Sequence, residues 1–303
     1  MTRNRSNLLL WIILGGGALC FFILCLLALA VFYTGESSSG LSISQNQVAS
    51  LELEGVILDS KAFVEQLEDY GKRSGVRSVV IRINSPGGGV AASQEIYEAI
   101  KKFRAETKKK VVVSMASVAA SGGYYVACAS DKIFANPGTI TGSIGVIAEW
   151  YNYGDLLQWA KMQSVVFKSG ELKDAGSPTR PLTKEEKAYF QSLIDNIFSQ
   201  FVSAVADSRD LQEAEVRKLA DGRVFTGQQA VELGLVDTLG TYEDAVRIAA
   251  GLAGITGEPA LVRERRRVPW WAPGIEEVTD TMNKIKNEVL ERPVLSFRFV
   301  GPY

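Results

Sequence analysis

A serine and a lysine are the residues of this chain whose types and positions could support covalent catalysis. The chain has 303 residues and contains no histidine, so a hydrolytic serine could not use the usual imidazole base. Ser121 lies in Ser121-Gly122-Gly123-Tyr124-Tyr125, where the pattern indicates a helix start after a buried strand. Lys173 is the amine best placed in the sequence to act as the base. The residues therefore favour a Ser–Lys hydrolase as the hypothesis to test.

Both residues also have an ordinary structural interpretation. A serine among small residues before a helix can simply reflect tight packing around Ser121. An ordinary lysine, with a pKa of about 10.4, is protonated near neutrality and must be desolvated before it can act as a base. Glu171 and Asp174 flank Lys173 and favour the charged form unless they point away. Taken alone, Lys173 therefore fits a solvated loop lysine better than a base.

A glycine run, Gly87-Gly88-Gly89, follows the second predicted strand. Glycine permits backbone conformations that direct N–H groups at a ligand, so an oxyanion-binding role for the Gly88 amide is one interpretation. The segment lacks the Gly-Lys-Ser/Thr ending of a phosphate-binding loop. The structural alternative is a turn that joins a strand to a helix.

The N-terminal sequence predicts a membrane anchor. Residues 8–33 are almost wholly apolar, and as a helix they would measure about 39 Å, more than a hydrocarbon core of roughly 30 Å. Arg3 and Arg5 precede the span, so residues 1–7 are expected in the cytoplasm and everything after the span outside it. A cleaved signal peptide is the alternative, because Ala28-Leu29-Ala30 has the A-x-A form. The apolar stretch, however, exceeds the roughly 7–15 residues of a signal-peptide core.

The rest of the sequence predicts a linker, one large domain and a distinct tail. Residues 34–46 are serine-rich and indicate a flexible linker. Residues 47–262 alternate apolar runs with helical patterns, which indicates an α/β domain with a mostly parallel sheet. Residues 263–303 carry a basic run, paired tryptophans and an amphipathic helix. That tail could lie on an anionic bilayer, but a strand and a helix packed within the protein or against another subunit are favoured.

The predicted elements of the large domain follow from apolar spacing and capping residues. The predicted strands are Val48–Leu53, Val76–Ile83, Val111–Val113, Ser143–Ile147 and Val165–Lys168, and the predicted helices are Lys61–Tyr70, Ala91–Glu106, a short one after Ser121, a long one from Thr183, Leu211–Leu219 and Gly227–Leu233.

The composition argues against several classes of partner and cofactor. With 33 basic and 34 acidic residues the formal net charge is −1, so no electrostatic footprint for nucleic acid is present. Without histidine, the commonest metal ligand, zinc hydrolysis is not expected. We expect neither a metal nor an organic cofactor. Cys128 is the only cysteine beyond the predicted anchor, so no intrachain disulfide is expected there.

Several ordered motifs together resemble the signal peptide peptidase A family, in its short, single-repeat form. The motifs are Asn84–Gly89, Ser117–Tyr125, Thr141–Val146, Lys168–Asp174, Gly222–Gly227 and Gly234–Asp237, and the resemblance runs from about Val48 to Ile255. The tail after Val268 matches less clearly.

The resemblance implies a Clp/crotonase-like α/β fold with repeated β-β-α and βαβ units, preceded by one transmembrane helix. It implies Ser121 as nucleophile, Lys173 as general base, Gly88 and Gly122 as oxyanion-hole amides and Ser143 as the group that orients the lysine. It also implies peptide substrates, notably released signal peptides, and ring-like homo-oligomers whose sites use neighbouring subunits.

The function expected from residues and resemblance together is a membrane-anchored serine endopeptidase on the extracytoplasmic side of the cell membrane. Two alternatives stay open at this point. A crotonase-type acyl-CoA enzyme would need the glycine amides but no particular serine–lysine pair. A catalytically inactive scaffold would bind membrane proteins in the same groove.

Overall fold

The computed structural model describes Leu26, residues 46–263 and residues 295–298. The chain divides into two units, Met1–Ser44 and Gln45–Tyr303, and the fold below is that of the second. The predicted cytoplasmic tail, anchor and linker lie outside the described residues except at Leu26 and Asn46, as does the predicted amphipathic helix of the C-terminal tail. Within the described part of the chain, no helix has the length and apolarity that crossing a membrane requires.

The second unit alternates strands and helices. The strands are β1 (Gln47–Glu54), β2 (Val76–Ser85), β3 (Gly87–Gly89), β4 (Lys110–Ala120), β5 (Lys132–Ala135), β6 (Ile140–Gly142), β7 (Ile147–Ala148), β8 (Val224–Thr226), β9 (Thr238–Leu239), β10 (Ala260–Arg263) and β11 (Leu295–Arg298). The helices are α1 (Lys61–Lys72), α2 (Val90–Thr107), α3 (Gly122–Ala127), α4 (Gly154–Trp159), α5 (Lys184–Arg209), α6 (Glu213–Leu219), α7 (Gly227–Glu232) and α8 (Tyr242–Leu252), with a 3₁₀ turn at Glu171–Asp174.

The main sheet is parallel along its whole spine, as the alternation of strands and helices predicts. Its order is β10-β1-β2-β4-β5-β9, and every neighbouring pair on this path is parallel. At its end β4 leaves β5 and pairs in parallel with β6, which pairs antiparallel with β8. A second, three-stranded antiparallel sheet has the order β3-β11-β7. This mixed α/β architecture with a parallel sheet is consistent with a Clp/crotonase-like fold.

Both faces of the parallel sheet are covered, which explains why its central strands are apolar on both sides. Val79 and Ile81 lie in the larger core cluster together with residues of α1, α2, α3 and α5. Their neighbour Val80 points to the other face, where it packs in a smaller cluster with Ala249 of α8. Successive residues of β2 therefore pack into different core clusters. Both clusters hold in place the strand ends that carry the candidate site.

Two of the predicted strands are wrong. Of the predicted strand Ser143–Ile147 only Ile147, the first residue of β7, lies in a strand, because β6 ends at Gly142 and Ser143 has a positive φ of 50° that an extended strand cannot adopt. Val165–Lys168 has the apolar, β-branched composition of a strand but pairs with none of the described strands, and Phe167 in it is 96% exposed. The other predicted strands and helices are confirmed, most of them extending one to several residues beyond the predicted ends.

Candidate active site

Ser121 occupies a strained turn at the end of a buried strand. It follows the last residue of β4 and caps α3, with φ 53° and ψ −117°, a backbone conformation that non-glycine residues rarely adopt. Its N–H donates to the Gly142 carbonyl at 2.8 Å, and its own carbonyl accepts from the Tyr125 N–H at 2.8 Å. The residue is 1% exposed. The predicted helix start at Ser121 is confirmed, and its position is rigid.

Small residues after Ser121 let α3 approach the end of β2. A Cβ on Gly123 would lie 2.9 Å from the Ser85 carbonyl oxygen, closer than real contacts allow. The Ser85 hydroxyl donates to the Gly55 carbonyl at 2.6 Å and accepts from the Gly87 N–H at 3.1 Å. The glycine run of β3 is thus fixed beside the start of α3 through Ser85.

Gly88 stands where no other residue fits. A Cβ there would lie 2.1 Å from the Ile57 carbonyl oxygen. Ile57 donates its N–H to the Gly87 carbonyl at 2.9 Å and accepts from the Gly89 N–H at 2.7 Å. Because successive residues of an extended strand direct their backbone groups to opposite sides, the N–H of Gly88 points away from Ile57. The amide predicted to bind an oxyanion therefore faces the opposite edge of β3.

Ser143 shares a cavity with Ser121. Its N–H donates to the Arg223 carbonyl at 2.8 Å, which holds the positive-φ turn after β6. The cavity has a volume of ≈ 430 Å³ and is lined by Ser121, Ser143, Gly145, Val146, Ile147, Ile194, Asp195, Phe198, Ala220, Asp221 and Gly222. Apolar side chains form much of this wall, so the space beside the serine suits an uncharged group.

The cavity wall also carries two carboxylates that the sequence analysis did not single out, Asp195 and Asp221. The Arg223 guanidinium binds both oxygens of Asp221, and this hydrogen bonding lowers the pKa of the Asp221 carboxyl to about 2. Asp221 is therefore a structural partner of Arg223. The backbone carbonyl of Arg223 also binds the Ser143 N–H.

The structure does not join Lys173 to Ser121. Lys173 lies on the exposed 3₁₀ turn Glu171–Asp174, where its N–H donates to the Gly170 carbonyl at 3.1 Å. Its side chain is not part of the cavity wall. Among the residues that the structure describes, the Lys173 Nζ makes no hydrogen bond or ion pair. The roles predicted for Ser121, Lys173, Gly88, Gly122 and Ser143 therefore stay predictions.

Asp174 makes no ion pair with Lys173, because other cations occupy its carboxylate. Lys168 Nζ lies 2.7 Å from Asp174 Oδ1, and a guanidinium nitrogen of Arg180 lies 3.0 Å from Oδ2. Hydrogen bonds from Lys168 and Arg180 keep the pKa of Asp174 below its ordinary value. Lys168, the nearest alternative amine in the sequence, is thereby committed to an ion pair.

Arg180 ties the lysine-bearing turn to the start of α5. It makes a two-pronged contact with Glu186, at 2.5 and 2.9 Å, while it also holds Asp174. Glu186 is 2% exposed and forms a capping box with Thr183. The hydrogen bonds from Arg180, and secondly from the Thr183 N–H, lower the pKa of Glu186 to about 2. Sequence reasoning found the capping box at Thr183 but missed this anchor, since no local pattern pairs Arg180 with residues on both sides of it.

No cluster of three or more histidine, cysteine, aspartate or glutamate residues in the described part of the chain is arranged to hold a metal ion.

Two models of known protein families match the chain. The model of peptidase family S49 matches residues 103–256, a segment that contains Ser121, Ser143 and Lys173. The model of the Clp protease family matches residues 52–139, which contain Gly88 and Ser121.

Individual relatives carry protease names. A protein of Synechocystis sp. named as a protease is 46% identical over 214 residues, 70% of this chain and 76% of that protein. A protein of Enterococcus faecium named as signal peptide peptidase SppA is 38% identical over 216 residues, 67% of this chain and 62% of that protein. The chloroplastic serine protease SPPA of Arabidopsis thaliana is 34% identical over 206 residues, 68% of this chain and 30% of that protein. The match thus spans less than two thirds of the second and third relatives.

Gly88→Ala tests the close approach of β3 to Ile57. The added Cβ cannot be accommodated without moving backbone, so we expect a loss of about 2 kcal/mol or more in the free energy of unfolding, typical of overpacking at a rigid position. Gly138→Ala is the matched control, because a Cβ there meets no atom within 4 Å. Chemical denaturation of both variants measures the difference. Equal stability of the two variants would contradict the geometry described for Gly88.

The Glu186 anchor predicts a pH dependence of stability. Its folded pKa of about 2 lies below the ordinary value of 4.5, so its stabilising effect is fully present above pH 4.5 and disappears as the pH falls toward 2. Thermal unfolding of the wild type and of Glu186→Gln between pH 6 and pH 2 tests this. We expect the gap in Tm between the two proteins to be widest above pH 4.5 and to close toward pH 2. A gap that stays constant over the range would exclude a charge-dependent anchor.

Proposed function

The chain belongs to peptidase family S49, and we propose that it acts as a membrane-anchored serine endopeptidase in which Ser121 and Lys173 form the catalytic pair. Membership of peptidase family S49 supports hydrolysis of peptide bonds as the reaction class. The single observation that carries the assignment of the nucleophile is the strained, backbone-locked turn at Ser121, which opens on the same cavity as Ser143. The absence of histidine from the whole chain supports an amine as the base.

The proposed reaction has two covalent steps. Neutral Lys173 takes the proton of the Ser121 hydroxyl as the serine oxygen attacks the carbonyl carbon of the scissile peptide bond. The amides of Gly88 and Gly122 stabilise the oxyanion, and the C–N bond then breaks as Lys173 returns the proton to the leaving amine. Water, deprotonated by Lys173, attacks the acyl-enzyme and releases the acid product and the free serine. No electron transfer or cofactor enters this scheme.

The backbone around Ser121 supports the proposed oxyanion site. Gly122 is the first residue of α3, and the first N–H groups of a helix have no partner within the helix. The Gly88 amide is directed away from Ile57 by the strand geometry of β3. Both donors belong to rigid backbone, so little reorganisation is needed when negative charge develops.

The scheme requires the turn at Glu171–Asp174, of the same subunit or of a neighbouring one, to close on Ser121, because Lys173 is exposed and makes no contact with the serine in the structure. The Lys173 Nζ makes no hydrogen bond or ion pair with a described residue, so no such contact has to break before it moves. On closing, the amine would enter a cavity walled by Val146, Ile194 and Phe198 and by Asp195 and Asp221. Burial among the apolar side chains favours the neutral amine that a base needs, whereas the two carboxylates favour the charged form. Ser143, in the same wall, would then orient it.

The apolar wall of the cavity also supports the proposed substrates, which are extended, apolar peptides such as released signal peptides. A peptide with a short apolar side chain can bury it against the wall, whereas a negatively charged side chain would lose hydration and would meet the carboxylates of Asp195 and Asp221. The name of the Enterococcus relative is in keeping with this substrate class. Anchoring by residues 8–33 would hold the enzyme where such peptides are released.

A large exposed apolar surface supports the proposed homo-oligomer. Trp159 is 82% exposed and Phe167 is 96% exposed, and Tyr151, Met162 and Val165 in the same segment are also exposed. So many exposed large apolar side chains within one short segment of the sequence are typical of an interface. We therefore place the contact between subunits on residues 151–167.

The catalytic pair is tested by single and double substitutions. Ser121→Ala and Lys173→Met should each lower the rate of cleavage of an apolar reporter peptide by about 10³-fold or more, and the double variant should be little worse, because the two residues act as one unit. Lys102→Met is the matched control, since Lys102 is exposed, lies outside residues 151–167 and makes no side-chain bond to a described residue. The wild-type rate should rise with pH as the base loses its proton.

One further variant, Lys168→Met, identifies the base if its assignment to Lys173 is mistaken. Retained activity in Lys173→Met together with loss in Lys168→Met would assign the role to Lys168. A serine-reactive phosphonate should label Ser121 in the wild type. Absence of labelling and of peptide cleavage would leave the inactive scaffold or the acyl-CoA enzyme as the function.

Topology is tested by protease accessibility. If Arg3 and Arg5 hold the N-terminus in the cytoplasm and residues 8–33 span the bilayer, protease added to spheroplasts should digest the domain that carries Ser121. Lysed spheroplasts and a cytoplasmic marker protein serve as controls. Protection of the domain in intact spheroplasts, or a mature N-terminus just after Ala30, would refute the uncleaved anchor.

A further inference from the structure

A second cavity, at the opposite end of the parallel sheet from Ser121, has a basic wall. It has a volume of ≈ 360 Å³ and lies where β2 and β4 begin, whereas Ser121 follows the last residue of β4. Four cationic side chains line it, Arg77, Lys108, Lys109 and Lys110, and none of the described residues in its wall is acidic. Since the whole chain has a formal net charge of only −1, this concentration of positive charge is local. The cavity is named here the basic pocket.

Two of the four cations have no protein partner among the described residues. Neither the Arg77 guanidinium nor the Lys108 Nζ makes a hydrogen bond or an ion pair with them, and both residues are exposed. Arg77 is fixed as part of β2, and Lys108 ends α2 in a left-handed conformation with its N–H bonded to the Arg104 carbonyl at 3.1 Å. An incoming anion would therefore meet two cations on fixed backbone without displacing an existing contact.

Lys109 holds a third positive charge in the wall. Its Nζ donates to the carbonyls of Tyr70, Gly71 and Arg73 at 2.8–2.9 Å, so it caps the C-terminal end of α1. Burial and, secondly, the charge of Arg77 lower the pKa of the Lys109 ammonium below its ordinary value. The two cations thus repel each other, and an anion bound beside Arg77 would offset that repulsion.

Lys110, the fourth cation, is only partly neutralised. Its Nζ lies 3.2 Å from Asp131 Oδ1. The Arg104 guanidinium already binds both oxygens of that carboxylate, at 2.9 Å each. One carboxylate therefore shares its charge between two cations, and the basic pocket keeps an excess of positive charge.

The chemistry of the wall suits a phosphate group. Arginine and lysine together bind phosphate oxygens through charge-assisted hydrogen bonds. The Ser74 hydroxyl, in the same wall, makes no hydrogen bond to a described residue and can also donate. Leu252, which is 43% exposed, adds an apolar part to the wall. The positive charge is confined to one pocket rather than extended along a stripe, which favours a single phosphate group over a nucleic-acid backbone.

We propose that the basic pocket is a binding site for a phosphate group. β1 begins beside it, because Gln47 pairs with Val76 and donates its N–H to the Gly75 carbonyl at 2.9 Å, so the predicted linker of residues 34–46 joins the domain at this edge. Headgroups of anionic phospholipids and soluble phosphate compounds are the two sources of such a group. The inference goes beyond the proposed peptidase and does not depend on its activity.

Native mass spectrometry of the full-length chain in nonionic detergent micelles tests the lipid source. We expect the chain to retain phosphatidylglycerol in preference to phosphatidylcholine, whose choline offsets the phosphate charge. Arg77→Gln/Lys108→Gln should weaken the retention of phosphatidylglycerol about ten-fold or more, because each cation near an anionic headgroup contributes to binding. Lys102→Gln/Lys218→Gln is the matched control, since it removes the same charge from two exposed lysines outside the wall.

Inorganic pyrophosphate tests the soluble source on the same full-length protein. A ligand that binds the folded state raises Tm, so pyrophosphate should raise Tm above its value in sodium chloride of equal ionic strength. Arg77→Gln/Lys108→Gln should need about ten-fold more pyrophosphate for the same rise. Arg77→Lys/Lys108→Arg keeps both charges and should bind each probe within about three-fold of the wild type.

The outcomes identify the source or overturn the site. Binding of phosphatidylglycerol, of pyrophosphate or of both supports the proposal if Arg77→Gln/Lys108→Gln weakens it and the control variant does not. The probe that binds identifies the source. The proposal is overturned if neither probe binds, if the two glutamine variants bind equally well, or if the charge-keeping variant loses as much binding as Arg77→Gln/Lys108→Gln. Phosphonate labelling of Ser121 is a separate measurement, so the peptidase function stands or fails independently.

Discussion

The backbone hydrogen bond from the Ser121 N–H to the Gly142 carbonyl is the contact on which the site depends. It closes the gap left where β4 diverges from β5, and it holds Ser121 in a conformation that costs about 1–3 kcal/mol. Packing offsets that cost, because β4 is buried on both faces and Tyr124, in the first turn of α3, is fully buried with its hydroxyl bonded to the Leu235 carbonyl at 2.9 Å. The strain is confined to the backbone at Ser121, whereas the packing that offsets it involves the whole sheet.

The backbone contacts that fix Ser121 differ from the polar contacts that hold the turn carrying Lys173. The turn at Glu171–Asp174 packs no buried residue into the core, and polar contacts connect it to α5 through Arg180 and Glu186. Glu186, which binds Arg180, is 2% exposed, so the ion pairs hold the turn through a buried partner. The molecule therefore combines a candidate nucleophile fixed by backbone hydrogen bonds with a candidate base on a turn that ion pairs hold.

Sequence reasoning succeeded where the signal is local. The apolar pattern of β2 and the capping box at Thr183 depend on neighbours within a few residues, and both were predicted correctly. It failed where contacts between residues far apart in the sequence determine the local structure. Ser143 turns out of the strand at a positive φ of 50°, and the carbonyl of Arg223, far along the chain, binds its N–H there. The pairing of β11 with β3 had no local signal beyond an alternating apolar pattern, and no pattern in one sequence tells which edges such a strand joins.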